Sequence, residues 1–539
     1  MKILTAEEMR ACDRATAEQY GVSLTRLMVH AGEAVARFVA AEFPEARNIV
    51  VLCGKGNNGG DGLMASAALA EAGLKPHVLL LGRKEELKGD PEAMFDRSQP
   101  LVPVTEIPTE AELHTEAVAR LFAGADLILD AMVGTGFKPP MRGVLSAVRD
   151  LVNPMLPTPI VAVDLPSGWD ADSLAYEEQG VVRADAVVTF TAPKLAHAFG
   201  NLTGSATRPI VIANIGSPDE AIVSGQQLRW TGSAKWITER PRKADDNKGR
   251  HGHVVLFAGS HGKAGAPSMA SLAGLRAGAG LVTAAVPASV LNTVALVAPE
   301  LMTEPLPEDA QAQLDTSFFN APGQDALAAL LKKKSVIAVG PGLGESEQAA
   351  GLVWALVERA EVPLVLDADA LNLVAKDMPR FRERANRDGQ RVVMTPHPGE
   401  MARLAGMSIA EVQKDRIGLA RRFAMEYGVT LVLKGWRTLV AHPDGMVAVN
   451  TTGNPGLAKG GSGDMLTGIV AAFVAQYPDK LELAVEAAVF MHGLAADIAV
   501  RAQDEHTLLV TDVLQNLWKA FRYRTEAKGG YVWWEGLPK

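Results

Sequence analysis

Short apolar runs alternate with longer helical segments between residues 46 and 215 of the chain. The runs are rich in Val, Ile and Leu, and loops that contain Gly or Asp follow several of them. They lie at Asn48–Cys53, His77–Leu81, Ala125–Leu129, Ile160–Val163 and Ala186–Phe190. Apolar strands separated by helical segments are typical of a parallel α/β sheet, so the sequence predicts one here.

A second series of the same kind begins at residue 253. Its apolar runs lie at 253–258, 335–339, 363–366, 391–394 and 430–433. Two further runs, Thr438–Ala441 and Met446–Val449, flank the turn sequence Pro443-Asp-Gly445, which predicts a β-hairpin. A mixed stretch that ends in the charged segment 239–246 separates the two series. We therefore predict two α/β domains, at 1–220 and 221–525, and a tail at 526–539.

The composition narrows the class of protein. Of the 539 residues, 48% are hydrophobic and 21% are charged, which suits large buried cores and excludes a disordered chain. The 62 acidic and 53 basic residues give a net charge of −9, so no basic surface points to nucleic acid. Only two cysteines occur, which excludes a disulfide framework and favours a reducing compartment. We expect a cytoplasmic protein with neither a nucleic-acid nor a membrane partner, and interpret the uncharged run Ala277–Pro299 as buried protein.

A glycine-rich segment, Gly54–Gly62, follows the first predicted strand and precedes a helical pattern. Backbone N–H groups at such a helix start can bind a pyrophosphate, and glycine allows close approach. The segment differs from the usual dinucleotide fingerprint because Asn57, Asn58 and Asp61 can orient a ligand or give oxygens to a cation. The alternative is a plain turn with an Asp helix cap.

Two more loops end strands of the same predicted sheet, at Asp130–Gly136 and Asp164–Gly168. Loops at the carboxyl ends of parallel strands converge on a ligand crevice, so Asp130, Asp164 and Ser167 could face Asn58. Their oxygens are hard ligands that suit a weakly charged metal ion and not zinc. A single strand-end Asp is more often a cap or a turn residue, but three loops together favour a site.

In the second half, the segment Asn454–Asp464 runs directly into a helical pattern. Amides of Gly461, Ser462 and Gly463 at that helix start could neutralise charge on a transferred phosphoryl group. Asp464 could then accept a proton from a substrate hydroxyl. The alternative is an Asp cap after a flexible loop.

Further polar segments follow strands of the second series. Glu400, in Thr395-Pro-His-Pro-Gly-Glu400, could bind magnesium through water, and His397 could contact a phosphate or a substrate. The segments Lys434–Thr438, Gly340–Gly344 and Asp367-Ala-Asp369 are also placed where a nucleotide site would need them. A structural role remains the alternative for each, and the absence of a Walker A motif disfavours the P-loop class.

These motifs resemble two known families. Gly56-Asn-Asn-Gly-Gly-Asp-Gly62, Asp130-Ala-Met-Val-Gly-Thr-Gly136 and Val163-Asp-Leu-Pro-Ser-Gly168 resemble the YjeF N-terminal domain, an NAD(P)H-hydrate epimerase. The second half resembles its usual fusion partner, the ADP/ATP-dependent NAD(P)H-hydrate dehydratase. The motifs that carry this likeness are Asn247-Lys-Gly249, Gly259-Ser260 with Gly265-Ala266, Thr395–Glu400, Lys434–Thr438, and Asn454-Pro-Gly456 with Gly460–Asp464. The resemblance implies a Rossmann-like αβα sandwich followed by a ribokinase-like αβα domain.

For the first domain, the resemblance implies interconversion of the R and S hydrates of NADH and NADPH. Asp164 is the candidate for this chemistry, and Lys194 is a weaker candidate. Potassium would be bound by Asn58, Asp130 and Ser167. The hydrate would be bound by Asn57, Asn58, Gly59, Gly60, Asp61, Val133, Gly134, Thr135, Gly136 and Asp164.

For the second domain, the resemblance implies dehydration of the S hydrate with ADP or ATP as co-substrate and magnesium as cofactor. Asp464 would deprotonate the 6-hydroxyl. The hydrate would contact Ala266, Gly342 or Gly344, His397 and Asp464. The nucleotide would contact Lys434, Gly435, Trp436, Arg437 and Thr438, together with Gly461, Ser462 and Gly463.

Two functions remain open on the residues alone. The alternative to cofactor repair is a ribokinase-like kinase for a vitamin or sugar, joined to a nucleotide-binding module without catalysis. In either case the partners are small molecules, and we expect a homo-oligomer.

Overall fold

The computed structural model describes residues 1–320, 326–385, 390–526 and 529–538. The chain divides into two compact units: residues 1–228 together with 524–539, and residues 229–523. The described residues of the predicted tail, 526 and 529–538, therefore fall within the first unit.

The first unit is built on a parallel sheet whose strands are continuous apolar runs. Strand order is β7-β6-β5-β4-β1-β2-β3, and each neighbouring pair is parallel. The strands are β1 (Asn48–Cys53), β2 (Lys75–Leu80), β3 (Val104–Glu106), β4 (Leu127–Ala131), β5 (Ile160–Val163), β6 (Ala186–Phe190) and β7 (Ile210–Ala213). The order turns back between β1 and β4, which is where an open α/β sheet forms its ligand crevice.

Helices cover both faces of this sheet. They are α1 (Ala6–Tyr20), α2 (Leu24–Glu42), α3 (Asn57–Glu71), α4 (Asp90–Ser98), α5 (Glu110–Leu113), α6 (Glu116–Ala123), α7 (Val144–Val152) and α8 (Leu195–Phe199). Alternate residues of β1 enter different cores: Val51 packs with the apolar side of α2 and α3, whereas Leu52 packs with Val118 and Val148 of α6 and α7. Burial on both faces explains why the strand sequences do not alternate with polar residues.

The second unit has a larger sheet that is parallel except at one end. Its order is β11-β10-β9-β12-β13-β14-β15-β16-β17-β8. The strands are β8 (Leu228–Trp230), β9 (His253–Phe257), β10 (Leu281–Pro287), β11 (Met302–Leu306), β12 (Val336–Val339), β13 (Leu364–Leu366), β14 (Val392–Met394), β15 (Val429–Leu433), β16 (Leu439–Ala441) and β17 (Val447–Val449). Antiparallel pairing of β16 with β17 confirms the predicted hairpin.

Helices of the second unit include α19 (Ser462–Gln476), which is buried on all sides over most of its length. The others are α9 (Gly265–Arg276), α10 (Ala288–Ala295), α11 (Ser317–Asn320), α12 (Ala326–Leu331), α13 (Glu347–Arg359), α14 (Asp369–Ala375), α15 (Met378–Ala385), α16 (Pro398–Ala405), α17 (Ile409–Lys414), α18 (Arg416–Tyr427), α20 (Leu481–Ala499) and α21 (Val510–Arg522). Every residue of α19 from Met465 to Ala475 is buried, so this helix is part of the core and its N-terminus is fixed.

Two uncertain segments of the sequence acquire defined structures. The uncharged run 277–299 forms β10 and α10. Most of β10 is buried, as the interpretation of buried protein requires, but only Val290 and Val294 of α10 are, so the interpretation holds for the strand and not for the helix. The aromatic segment near the C-terminus forms β18 (Tyr531–Glu535), which pairs antiparallel with β7 in the first unit. Tyr531 and Trp533 enter the core beside α2, and the Tyr531 hydroxyl donates to the Ala34 carbonyl at 2.6 Å. The two predicted α/β sheets are thus confirmed.

Candidate active sites

The carboxyl ends of β1, β4, β5 and β6 surround a cavity of about 730 Å³ in the first unit, termed the first cavity. Most of the residues that the sequence assigns to hydrate binding line it. They are Asn57, Asn58, Asp61, Val133, Gly134, Thr135, Gly136 and Asp164, and Lys194 also lines it. Gly59, Gly60, Asp130 and Ser167 do not line this cavity.

The glycines of the first segment are needed for packing within the protein. Helix α3 begins at Asn57, so most of the predicted loop is the first turn of a helix. A Cβ at Gly54 would lie 1.9 Å from the Met132 carbonyl oxygen, and one at Gly59 would lie 1.9 Å from the Gly54 carbonyl oxygen. These contacts exclude any larger residue, and they hold Asn58 against the β4 loop.

Asp164 lies directly after β5 and is the centre of a buried hydrogen-bond network. Its Oδ1 accepts from Lys194 Nζ at 2.7 Å and from the Thr189 hydroxyl at 2.9 Å. Its Oδ2 accepts from the Thr135 hydroxyl at 2.5 Å and from the Thr135 backbone N–H at 3.1 Å. Asp164 adopts a positive φ of 66°, a conformation that costs energy in a non-glycine residue and is often found at functional sites.

Electrostatics keep the Asp164 carboxylate ionised. Burial favours a higher pKa, but the nearby Lys194 ammonium and the hydrogen bonds from Lys194 and Thr135 outweigh burial, so the pKa of Asp164 lies below its usual range. The His197 Nδ1 accepts from the Lys194 backbone N–H at 3.1 Å, so Nε2 carries the hydrogen and donates to the Asp164 carbonyl at 2.8 Å. Burial, with Lys194, lowers the pKa of His197 to about 4, which keeps the ring neutral.

Asp130 and Ser167 form a second polar pair behind the cavity. Asp130 accepts from the Ser167 hydroxyl at 2.6 Å and from the Ser167 backbone N–H at 2.8 Å. Burial raises the pKa of Asp130 to about 6, although these hydrogen bonds oppose the rise. A Cβ at Gly134 would lie 2.9 Å from Asn58 Oδ1 and 3.1 Å from Asp164 Oδ2, so the glycine lets the two side chains meet the β4 loop.

The second unit contains a cavity of about 790 Å³ beside the N-terminus of α19, termed the second cavity. It brings together most of the residues that the sequence assigns to nucleotide binding and to catalysis. They are His397, Glu400, Lys434, Gly435, Trp436, Arg437, Thr438, Ser462, Gly463 and Asp464.

Asp464 lies in the first turn of α19, where free backbone N–H groups and the helix dipole favour an anion. Burial, followed by the neighbouring Asp367, raises the pKa of Asp464 to about 6, while Lys434 opposes the rise. The carboxyl group is therefore poised to exchange a proton near neutral pH. A Cβ at Gly463 would lie 3.2 Å from Lys434 Nζ, so the ammonium group adjoins the helix start.

Asp367, after β13, positions Lys434. Its Oδ1 accepts from Lys434 Nζ at 2.9 Å and from the Thr395 hydroxyl at 2.8 Å, and its Oδ2 accepts from the Thr467 hydroxyl at 2.7 Å. Burial alone would lower the pKa of Lys434, but Asp367 and Glu400 outweigh burial and raise it. A charged ammonium is thus fixed at the wall of the second cavity.

Two arginines, the half-buried Arg416 and the buried Arg437, hold the Lys434–Thr438 loop. Arg416 donates to the carbonyl oxygens of Trp436 and Arg437, the latter at 3.3 Å. Arg437 has a positive φ of 52° and donates to the Thr451 carbonyl at 3.2 Å. The loop backbone is therefore fixed next to the cavity before any ligand binds.

Other predicted contacts have structural partners in the second unit. The His397 Nδ1 accepts from the backbone N–H of Gly399 at 3.0 Å, while Glu400 accepts from the His397 backbone N–H at 2.7 Å, so the pair caps α16. Ala266 and Gly342 lie together outside the cavity lining, since a Cβ at Gly342 would be 3.1 Å from the Ala266 Cβ. Gly344, also outside that lining, donates its N–H to Asp369 Oδ2 at 2.7 Å.

Four residues at the two sites carry no recognisable signal in the sequence. Thr189 and His197 complete the Asp164 network, and Asp13 of α1 lines the first cavity. His492 of α20 lines the second cavity, and its Nε2 is buried without a hydrogen-bond partner among the described residues. Thr189 lies inside the predicted strand Ala186–Phe190, but that position does not by itself mark a site residue.

The comparisons agree with this division into two sites. A family model described as YjeF-related protein N-terminus matches residues 24–196, and one described as NAD(P)H-hydrate dehydratase matches residues 254–519. The bifunctional NAD(P)H-hydrate repair enzyme Nnr of Moorella thermoacetica is 38% identical over 528 residues, covering 96% of each chain. The enzyme of the same name from Escherichia coli is 36% identical over 519 residues, covering 95% of this chain and 92% of its own.

A solved structure covers the second unit. It is that of the ADP/ATP-dependent NAD(P)H-hydrate dehydratase of Bacillus subtilis, co-crystallised with ATP and Mg²⁺, which is 32% identical. The match covers 55% of this chain and 98% of the Bacillus chain, with a TM-score of 0.46.

Fold, sites and relatives together define a two-domain enzyme that acts on nicotinamide cofactors. The chain belongs to the family of bifunctional NAD(P)H-hydrate repair enzymes. It combines an NAD(P)H-hydrate epimerase domain with an NAD(P)H-hydrate dehydratase domain, and both predicted activities are thereby confirmed. Among the described residues, no helix is long and apolar enough to cross a membrane.

Proposed function

We propose that the first cavity interconverts the R and S hydrates, and that the second cavity dehydrates the S hydrate with a nucleotide as phosphoryl donor. The observation that carries the second assignment is Asp464 at the start of α19, beside the Lys434 ammonium and with a pKa raised to about 6 by burial and Asp367. A proton acceptor and an anion-binding helix start together suit phosphoryl transfer to a hydroxyl.

The chemistry of dehydration explains the need for a nucleotide. Hydroxide is a poor leaving group, whereas a phosphate ester leaves readily when the ring nitrogen donates its electron pair toward C6. Asp464 removes the proton of the 6-hydroxyl, whose oxygen then attacks the terminal phosphate. Amides of Gly461, Ser462 and Gly463 and the Lys434 ammonium stabilise the transferring group. Loss of the phosphate and of a C5 proton then restores the reduced nicotinamide ring.

Magnesium fits this site as a companion of the nucleotide. Magnesium in such sites is held mainly by phosphates and water, with one or two carboxylates. Glu400 and Asp367 lie on either side of Lys434, at 3.8 Å and 2.9 Å from Nζ, and both carboxylates line the cavity. We assign Glu400 to magnesium through water. Among the described residues there is no cluster of three His, Cys, Asp or Glu that could hold a metal alone.

In the first cavity, Asp164 is the group that we assign to the 6-position of the hydrate. Lys194, only 2% exposed, keeps it ionised through the 2.7 Å contact, so the carboxylate can stabilise positive charge on the nicotinamide ring. The Val133 and Thr135 N–H groups donate to Ser167 and Asp164. The N–H groups of Gly134 and Gly136 and the start of α3 suit the phosphates of the cofactor.

Potassium binding also suits the residues present. Asn58, Asp130 and Ser167 offer oxygen atoms, the ligand type that hard cations prefer. The Asn58 Nδ2 is buried without a hydrogen-bond partner among the described residues. This donor calls for an acceptor such as a ligand oxygen or a water, so Oδ1 is the Asn58 atom that would face the cation. We assign these three side chains to a potassium ion that would support the loops around Asp164.

The proposal is tested with the full chain and purified hydrates. The S and R hydrates of NADH and of NADPH are each supplied with magnesium and either ADP or ATP. We expect absorbance of the reduced nicotinamide ring to return with an equal amount of phosphate, from the R hydrate as well as from the S hydrate. Accumulation of a stable phosphorylated product would support a vitamin or sugar kinase instead, and repair of S alone would remove the epimerase assignment.

The pH dependence of dehydration follows from Asp464. Its folded pKa is raised to about 6 by burial and Asp367, and only the ionised form can accept the hydroxyl proton. We therefore expect kcat to rise with pH through about 6 and then level off, falling about tenfold for each unit below that value. The measurement is initial rate at saturating S hydrate and nucleotide, corrected for acid decay of the product. A flat profile from pH 5 to 8 would contradict the role of Asp464.

A further inference from the structure

Helix α1 contributes a carboxyl group to the first cavity that the mechanism so far does not use. Asp13 lines the cavity together with Asp164 and Lys194. The segment before α1 is tied to the Lys194 loop, because Leu4 forms a β-bridge with Lys194 and donates its N–H to the Pro193 carbonyl at 3.0 Å. Asp13 therefore reaches the site from a different element of the unit, and its place there is fixed by the backbone.

The Asp13 carboxyl group lacks a partner where one is needed. Its Oδ1 is buried and has no hydrogen bond to any residue that the structure describes. An unpaired buried polar atom costs free energy, so such atoms in native structures usually mark a site for a ligand, a water or a proton. Burial raises the pKa of Asp13 to about 6, and Asp164 contributes to this rise while Lys194 opposes it.

The surroundings move the pKa values of Asp13 and Asp164 in opposite directions. Lys194 holds Asp164 ionised. Asp61 lies in the same region, and burial, Asp164 and Asp13 raise the pKa of Asp61. Arg10 of α1 also lines the cavity. Two carboxyl groups in one cavity, one kept ionised and one that readily carries a proton, are the arrangement of an acid and its electrostatic partner.

We propose that Asp13 is the proton donor of epimerisation and acts on the 6-hydroxyl of the hydrate while Asp164 stays ionised. This rests on the proposed location of the epimerase site in the first cavity. The Asp13 O–H bond breaks and its proton goes to the 6-oxygen. The C6–O bond breaks with its electron pair on oxygen, which leaves as water, and the nitrogen lone pair forms a C=N bond to C6. Water then adds to C6. On the face that adjoins Asp13 it returns a proton to Asp13 directly, and on the opposite face the proton returns to Asp13 through a second water molecule of the cavity.

The Asp164 carboxylate balances the positive charge of the ring in this step. No oxidant, reductant or second substrate is needed, and the acid is regenerated in each cycle. The same sequence of steps accounts for both directions of the R and S interconversion, because water can return to either face.

The test replaces Asp13 with asparagine in the full chain. R and S exchange of the NADH hydrate is followed by separation of the epimers, without nucleotide and with the spontaneous rate subtracted. We expect Asp13→Asn to lose about 10²-fold or more in kcat. For the unchanged protein, kcat/KM should fall as pH rises through the pKa of Asp13, because the protonated form is the active one. Asp13→Glu should keep this decline and part of the rate, and Glu18→Gln on the exposed face of α1 should behave as the unchanged protein.

Each outcome decides between specific alternatives. The proposal would be overturned if Asp13→Asn exchanged the R and S hydrates at the wild-type rate. It would also be overturned if that variant lost most of its rate but its kcat/KM still fell with rising pH. Full exchange by both Asp13→Asn and Asp164→Asn would instead remove epimerisation from the first cavity. Loss in Asp164→Asn alone would keep the site and exclude Asp13. Thermal unfolding of each variant shows whether the first unit is intact.

Discussion

Replacing Asp464 with asparagine should reduce the kcat of NAD(P)H-hydrate dehydration by about 10³-fold, within the usual range for loss of a general base. Asparagine keeps the size of the side chain and its place in the first turn of α19, but it cannot accept the hydroxyl proton. The KM of the nucleotide should change little, because the amides of the helix start and Lys434 remain. The measurement is the rate at which reduced nicotinamide absorbance returns from the S hydrate.

Two controls separate catalysis from folding in that experiment. The exposed Asp479 lies in the same unit, and Asp479→Asn should dehydrate at the wild-type rate. The Asp464→Asn chain should still exchange R and S hydrates, since its first unit is unaltered. Dehydration by Asp464→Asn at full speed, with phosphate released, would show that another group accepts the proton.

Most of the strands that could be predicted are buried on both faces, but β7 and β10 were missed although nearly all of their residues are buried. β1, β5 and β15 read as continuous apolar runs, because parallel strands covered by helices need no polar side. The edge strands β3 and β11 were not predicted, since only one of their residues is buried and their sequences are mixed. β18 could not be predicted from local pattern either, because its partner β7 lies more than 300 residues earlier in the chain.

Whether a site residue could be predicted depends on where it lies in its strand or helix. Asp130, Asp164 and Asp464 could be predicted because each lies at the carboxyl end of a strand or at the start of a helix, where topology itself brings loops together. Asp13 and His492 lie inside helices with ordinary helical patterns, so their position in a cavity depends on how those helices pack. The role of Gly59 in α3 could not be predicted either. The sequence favours contact of this glycine with a ligand, whereas in the structure it packs closely on Gly54.

Replacing Lys194 with methionine should destabilise the first unit by about 3–5 kcal/mol, the cost of leaving a buried charge without its partner. Asp164 would keep its hydrogen bonds from Thr135 and Thr189 but lose the 2.7 Å contact with the Lys194 ammonium. Epimerisation should also fall by about 10²-fold or more, because the pKa of Asp164 rises and less of the carboxylate is ionised. The measurements are denaturant unfolding of the full chain and R and S exchange.

A double variant tests whether the unpaired Asp164 carboxylate causes the loss of stability. In Lys194→Met with Asp164→Asn, no charge is left unpaired, so stability should recover by about 2 kcal/mol or more relative to Lys194→Met alone. Exchange of the hydrates should not recover, because the carboxylate itself is missing. Equal stability of the single and double variants would show that the unpaired Asp164 carboxylate is not the cause of the loss. Recovery of exchange in the double variant would show that the Asp164 carboxylate is not required. Recovery of stability without recovery of exchange would instead assign Lys194 to holding that carboxylate ionised for epimerisation.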